Sequence, residues 1–135
     1  MIYTSYFGNL KKIPEEIVRV TICGGVPQWY DGLQYKKVAP KYGFFQEYKK
    51  NNDWGYYTEH YKSEVLDTLD IESVINDIKT LTNEAKDVVL LCYEKPGDNC
   101  HRHLFANWLE EHGVPCEEFS MERYMEYERN NEIDR

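Results

Sequence analysis

One run of residues limits the folds open to this chain more than any other: Val88-Val89-Leu90-Leu91-Cys92, flanked by Asp87 and Tyr93. It is continuously apolar rather than alternating, and it is β-branched at its start, so it reads as a strand. A strand with no polar face has to be covered on both sides, as inner strands of parallel sheets are. It is the longest apolar run in the chain and falls far short of the ~20 residues that a membrane helix needs.

The neighbouring segments supply the covering layers. Ile2 to Phe7 is β-branched and aromatic, stops at Gly8-Asn9, and reads as a first strand. Ile17 to Cys23 reads as a second, ended by Gly24-Gly25. Residues 26–40 contain Pro27, Gly32 and Pro40 and read as a loop, packed rather than loose because it holds Trp29, Tyr30 and Tyr35. Helices are expected from Pro40 to Lys50, over 56–69, and after Asp70, where Ile71, Val74, Ile75 and Ile78 fall on one face. A further helix runs from Cys100 to about His112, capped by Asp98 or Asn99 and stopped by Gly113 and Pro115. Pro115 to Phe119 makes a short last strand, and the acidic Ser120–Arg135 segment a surface helix. Strands separated by helices predict a three-layer, Rossmann-like α/β fold. It has a mostly parallel sheet of about four strands with helices on both faces, in a single domain over 1–135. Ligands of such sheets bind beyond the carboxyl ends of the strands.

Composition narrows the partners. With 41% hydrophobic and 30% charged residues, the chain can build a core and global disorder is not expected. Its net charge of −8 is uneven: residues 1–50 carry +4 and residues 51–135 carry −12. Non-specific duplex binding depends on neutralising phosphates, so an acidic chain is a poor candidate for it. Lys36, Lys37, Lys41, Lys49 and Lys50 form either a solvated face or a local patch that steers anions. The start, MIYTSYFGN, lacks a basic region followed by an apolar stretch. The expectation is therefore a cytoplasmic protein with no membrane partner and with its four cysteines reduced. Nothing in the pattern indicates an oligomeric state.

Reactive side chains concentrate between the buried strand and the helix after it: Glu94-Lys95-Pro96-Gly97-Asp98-Asn99-Cys100-His101-Arg102-His103. The unpaired amides of a helix start favour an anion. A thiol in the first turn, beside Arg or His, becomes a better nucleophile, which points to Cys100. Arg102 offers a planar fork for phosphate or carboxylate, with His101 and Lys95 beside it. Glu94 could serve as acid, base or ribose-hydroxyl acceptor. Each has a plainer reading: Lys95 to Asp98 as an ordinary turn, Cys100 as packing, Glu94 paired with Arg102. Ser5, at the first strand's end, and Cys23, Gly24 and Gly25, at the second's, could converge on the same crevice, where bare glycine backbone can approach a ligand. Trp29, Tyr30 and Tyr35 could stack on a ring or form a satellite core. Cys92 reads as inert packing, and His60 and His112 as surface or helix-end residues. Zinc would need Cys100 and His103 with Cys23 or Cys92 as a remote ligand. No paired Cys-x-x-Cys supports that, so no cofactor is expected and zinc is the minor alternative.

The string CYEKPGDNCHRHLFANWLEEHG resembles the C-terminal signature of the family catalogued as domain of unknown function 488. Residues 18–41 also resemble one branch of it: Cys23-Gly24, then Pro27-Gln28-Trp29-Tyr30-Asp31-Gly32, Tyr35-Lys36 and Ala39-Pro40-Lys41. The residues that match the signature are Glu94, Lys95, Cys100, His101 and Arg102, and the resemblance implies no activity. Many members show Gly-His-Ser after the first strand; here Tyr3-Thr4-Ser5-Tyr6 stands instead, so a role for that histidine has no carrier. The functional expectation is an enzyme acting on a phosphorylated or nucleotide-like substrate at the Glu94–Arg102 turn, with Cys100 and Glu94 doing the chemistry. The alternative is a non-catalytic module that binds a nucleotide or anion, or docks a protein.

Overall fold

The computed structural model describes residues 1–94 and 98–133. Among these residues, five strands form one sheet: β1 (Ile2–Tyr6), β2 (Val18–Thr21), β3 (Leu33–Gln34), β4 (Val88–Cys92) and β5 (Cys116–Glu118). Their order is β3-β2-β4-β1-β5, and every pairing is parallel. The helices are α1 (Tyr42–Asn51), α2 (Trp54–Glu64), α3 (Ile71–Leu81), α4 (His101–Glu111) and α5 (Met121–Ile133), with 3-10 turns at Phe7–Lys12, Lys36–Val38 and Leu66–Thr68.

The apolar run is the sheet's middle strand, and all five of its residues are buried. Its alternation divides the core. Val88 and Leu90 pack with Tyr57, Tyr61, Val74, Ile78, Phe105 and Leu109, under α2, α3 and α4. Val89 and Leu91 pack with Tyr3, Phe7, Ile17, Phe119 and Tyr124, so α5 and the first 3-10 turn close the opposite face. The α/β, Rossmann-like expectation therefore holds, with five parallel strands instead of about four. The added one, β3, lies inside the presumed loop and is two residues long. It exists because the edge of β2 offers free backbone groups: Val20 pairs with Leu33, and the Tyr35 amide donates to the Thr21 carbonyl at 2.8 Å.

Helix ends follow capping chemistry. The Asp70 carboxylate accepts from the Ser73 amide at 3.0 Å, as read from the sequence. Asp53 does the same for Tyr56 at 3.1 Å, so α2 begins before residue 56. It stops at Glu64 and turns into a 3-10 segment rather than continuing to residue 69. The cap of α4 is Cys100, not Asp98 or Asn99. Gly113 has φ +81°, a conformation that favours glycine, and it ends the α4 turn as expected. The expected last helix extends to Arg135, and its final two positions lie outside the described residues. Among the described residues, no helix is long and apolar enough to cross a membrane. Asp70→Ala is expected to lower stability by about 1 kcal/mol, read as a shifted urea midpoint at unchanged m-value.

Candidate functional site

β2 and β4 are neighbours, so their carboxyl ends emerge side by side. After β2 comes Cys23-Gly24-Gly25, after β4 comes Tyr93-Glu94, and Asn99-Cys100-His101 leads into α4; all of these line one cleft of about 470 Å³. The opposite wall is aromatic and comes from α1 and α2: Tyr42, Phe45, Tyr48, Trp54 and Tyr57, with Pro40 at its start. Trp54 and Tyr57 stack with centroids 4.7 Å apart, and Tyr48 meets both rings edge-on. One side of the cleft thus suits a planar ring, and the other presents a carboxylate, sulfur, imidazole and bare backbone. A Cβ on Gly24 or Gly25 would meet nothing within 4 Å, so both glycines leave their backbone uncovered there.

His101 is buried, and its Nε2 lies 2.8 Å from the Ile22 carbonyl. A carbonyl only accepts, so Nε2 carries the proton. Burial, with repulsion from Arg102 and His103, pushes the ring's pKa down to about 4 against the pull of that carbonyl. The ring is neutral at pH 7, and its Nδ1 lone pair faces Cys100 Sγ at 3.9 Å. The tautomer is therefore set by the end of β2.

Sulfur placement corrects two expectations. Cys92 is not isolated packing, because its sulfur and that of Cys100 lie at bonding distance as a disulfide pair, with Cα atoms 7.7 Å apart. Cys23 and Cys116 are free, and both are buried. Burial raises the Cys23 thiol to about 11 and Cys116 to about 12, so neither is an activated nucleophile. Among the described residues, the closest approach to a metal-ligand set is Cys92, Cys100 and His101, whose ligand atoms lie within 4.8 Å of one another; it is not Cys100 with His103.

Arg102 is completely buried and does not line the cleft. Its Nε and Nη2 donate to the two Glu118 carboxylate oxygens at 3.0 and 3.1 Å. Its Nη1 donates to Cys92 Sγ at 3.1 Å and to the Glu94 backbone carbonyl. The fork is thus filled from within, and its carboxylate partner is Glu118 rather than Glu94. Ser5 is also buried away from the cleft and accepts from Asn9 Nδ2 at 3.2 Å. Lys95 lies outside the described residues.

The loop aromatics do not reach the cleft. Trp29 and Tyr30 pack on Phe7, and the Tyr35 hydroxyl donates to Asp77 at 2.7 Å. His60 pairs with Glu64 on an exposed face, and His112 ends α4, as expected of both. Sequence reasoning missed the aromatic wall. The helical spacing of Tyr57 and its neighbours marked them as core, and several serve both purposes. The basic residues are exposed, and Lys49 Nζ sits 4.7 Å above the ring of Phe45, which lines the cleft.

No curated protein and no solved structure matches the chain. Residues 7–113 match the family model DUF488-N3a, described as the active DUF488-N3 subclade. That span covers well over half of the chain, including both the Cys23-Gly24 segment and the Glu94–His103 turn, and it places the chain in the DUF488 family.

Proposed function

We propose that this protein is an enzyme acting on a nucleotide-like small molecule, one that joins a planar ring to an anionic group. A single observation carries the reading: the aromatic wall and the Glu94/Cys100/His101 cluster face each other across one cleft at the carboxyl ends of β2 and β4. Trp54 and Tyr57 would stack on the ring. The first-turn amides of α4 and the uncovered Gly24-Gly25 backbone would hold the anion, and Lys49 at the rim adds positive charge. Arg102 is spent on Glu118, so it is not the anion's ligand in this reading. With its thiol free, Cys100 attacks the electrophilic centre, and Glu94 takes the thiol proton and delivers it to the leaving group. The subclade's description as active agrees with a catalytic role.

A second reading has one observation in its favour. With its sulfur paired to Cys92, Cys100 has no thiol to offer, and the same cleft would then bind a nucleotide or anion without chemistry.

A thermal-shift screen of the reduced protein against nucleoside phosphates, sugar phosphates and inorganic phosphate tests both readings. A ligand at 100 times its Kd stabilises by about 2.7 kcal/mol. Trp54→Ala is expected to weaken binding of a nucleoside phosphate about tenfold, the low end of what one stacked base contributes. Glu94→Gln is expected to retain binding and lower turnover by about 10² or more. Binding unaffected by Trp54→Ala, or no stabilisation by any nucleoside phosphate, overturns the proposal. Binding without turnover in the reduced protein selects the second reading.

A further inference from the structure

We propose that Cys92 and Cys100 are a reversible redox pair, in which a small hydroperoxide oxidises Cys100 and Cys92 resolves it to the disulfide. The two sulfurs occupy different environments, and the difference assigns their order of reaction. Cys100 lines the cleft, caps α4 and has an imidazole lone pair directed at its sulfur. Cys92 is wholly buried in the middle strand, where Arg102 Nη1 donates to its sulfur at 3.1 Å. Of the two, Cys100 is the one that an oxidant entering from solvent meets first. The sulfur is 3% exposed as a residue, so a molecule as small as a hydroperoxide reaches it while a folded protein disulfide does not.

The chemistry balances as follows. The Cys100 sulfur attacks the distal peroxide oxygen. The O–O bond breaks, the departing alkoxide or hydroxide takes the thiol proton, and Cys100 becomes a sulfenic acid. The Cys92 sulfur, stabilised as thiolate by the Arg102 guanidinium, then attacks Cys100 Sγ. The S–S bond forms, and hydroxide leaves with a proton as water. Two thiols are oxidised by two electrons, and the hydroperoxide is reduced to an alcohol and water. A small dithiol reverses the bond by exchange. Cys23 and Cys116 are spectators: Cys23 lines the same cleft, but among the described residues neither sulfur has a cation or imidazole bonded to it, and the Cys23 thiol donates to the Leu91 carbonyl.

The consequence for the cleft rests on the enzyme reading above, because the bridge would remove the attacking thiol; the redox step does not rest on it. Its test needs no substrate. Fully reduced protein is titrated with hydrogen peroxide, and the products are mapped by non-reducing peptide mass spectrometry. One peroxide is expected to consume two thiols as the Cys92–Cys100 bridge, about tenfold faster than any change at Cys23 or Cys116. Dithiothreitol is expected to restore both thiols under native conditions. In Cys92→Ser, Cys100 is expected to accumulate as a sulfenic acid that a 1,3-diketone traps. If that variant does not fold, the wild-type mapping decides by itself. Three results overturn the proposal: oxidation of Cys23 or Cys116 as fast as Cys100, a bridge that withstands dithiothreitol until the protein unfolds, or one zinc ion per chain bound by the reduced protein through these thiolates. Failure of the nucleoside-phosphate screen leaves every one of these readouts intact, so the two proposals fail separately.

Discussion

Arg102→Ala is expected to destabilise the fold by about 3–5 kcal/mol, the usual consequence of stripping one partner from a buried ion pair. The guanidinium has no solvent exposure and meets groups from β5 and from β4 and its end. Glu118 on β5 takes two of its donors, while Cys92 Sγ and the Glu94 carbonyl at the end of β4 take the other nitrogen. Thr4 on β1 adds its hydroxyl to the same Glu118 carboxylate at 2.8 Å. Removing the side chain leaves that carboxylate without its cation and the Glu94 carbonyl without its donor. Arg102→Lys is expected to recover only part of the loss, because an ammonium cannot reproduce the two parallel bonds to Glu118. Glu118→Gln is expected to cost more than Arg102→Lys, since it leaves the fully buried guanidinium without its counter-charge. Urea unfolding of the three variants checks the order. A loss below about 1 kcal/mol for Arg102→Ala would show that the buried pair contributes no more than a surface bridge.

The same residue shows where sequence reading stops. The sequence reading placed Cys23, Gly24, Gly25, Glu94, Cys100 and His101 at one crevice with Arg102, and these six line one cleft that Arg102 does not enter. What the string could not reveal is which donors are already used. The bidentate partner is Glu118, sixteen positions away on β5, and no local pattern links the two. Strand parity places Cys92 on the same side of β4 as Val88 and Leu90. Whether its sulfur meets the start of α4 depends on how the helix docks, and no local rule supplies that. The two-residue β3 is likewise invisible, because its only support is the exposed edge of β2. Elements whose stability is written locally were legible: the Asp70 cap, the apolar face of α3, the continuous β4 and the Gly113 stop. The aromatic wall was legible as helix but not as cleft, since a ring that packs on one face and lines a cavity with the other has the same spacing as a core residue.

Acid should weaken this protein through His101, and the direction follows from its burial. A histidine whose folded pKa is depressed contributes stability that is complete above its unfolded value of about 6.5 and is lost as pH falls through the folded value. For His101 the folded value is about 4, so the loss falls in the window between about 6.5 and 4. That separation corresponds to about 3 kcal/mol, an order-of-magnitude figure. The groups around the ring are Arg102 and His103 on its own helix, the Ile22 carbonyl beyond β2, Cys100 Sγ, and the Tyr61 ring of α2 at 5.8 Å. None is a carboxylate that could pair with an imidazolium, and Tyr61 is uncharged throughout this range because burial raises its pKa well above the ordinary value. His103, also lowered by burial, shifts stability in the same direction. Surface carboxylates titrate in this window too, so the discriminating quantity is the difference between wild type and His101→Gln, whose amide can still donate to Ile22. Urea unfolding at pH 7, 5 and 4 is expected to give a wild-type stability that falls more steeply than that of the variant. Parallel curves would mean that the ring accepts its proton without leaving its site, and the assignment of a permanently neutral Nδ1 beside Cys100 would go with it.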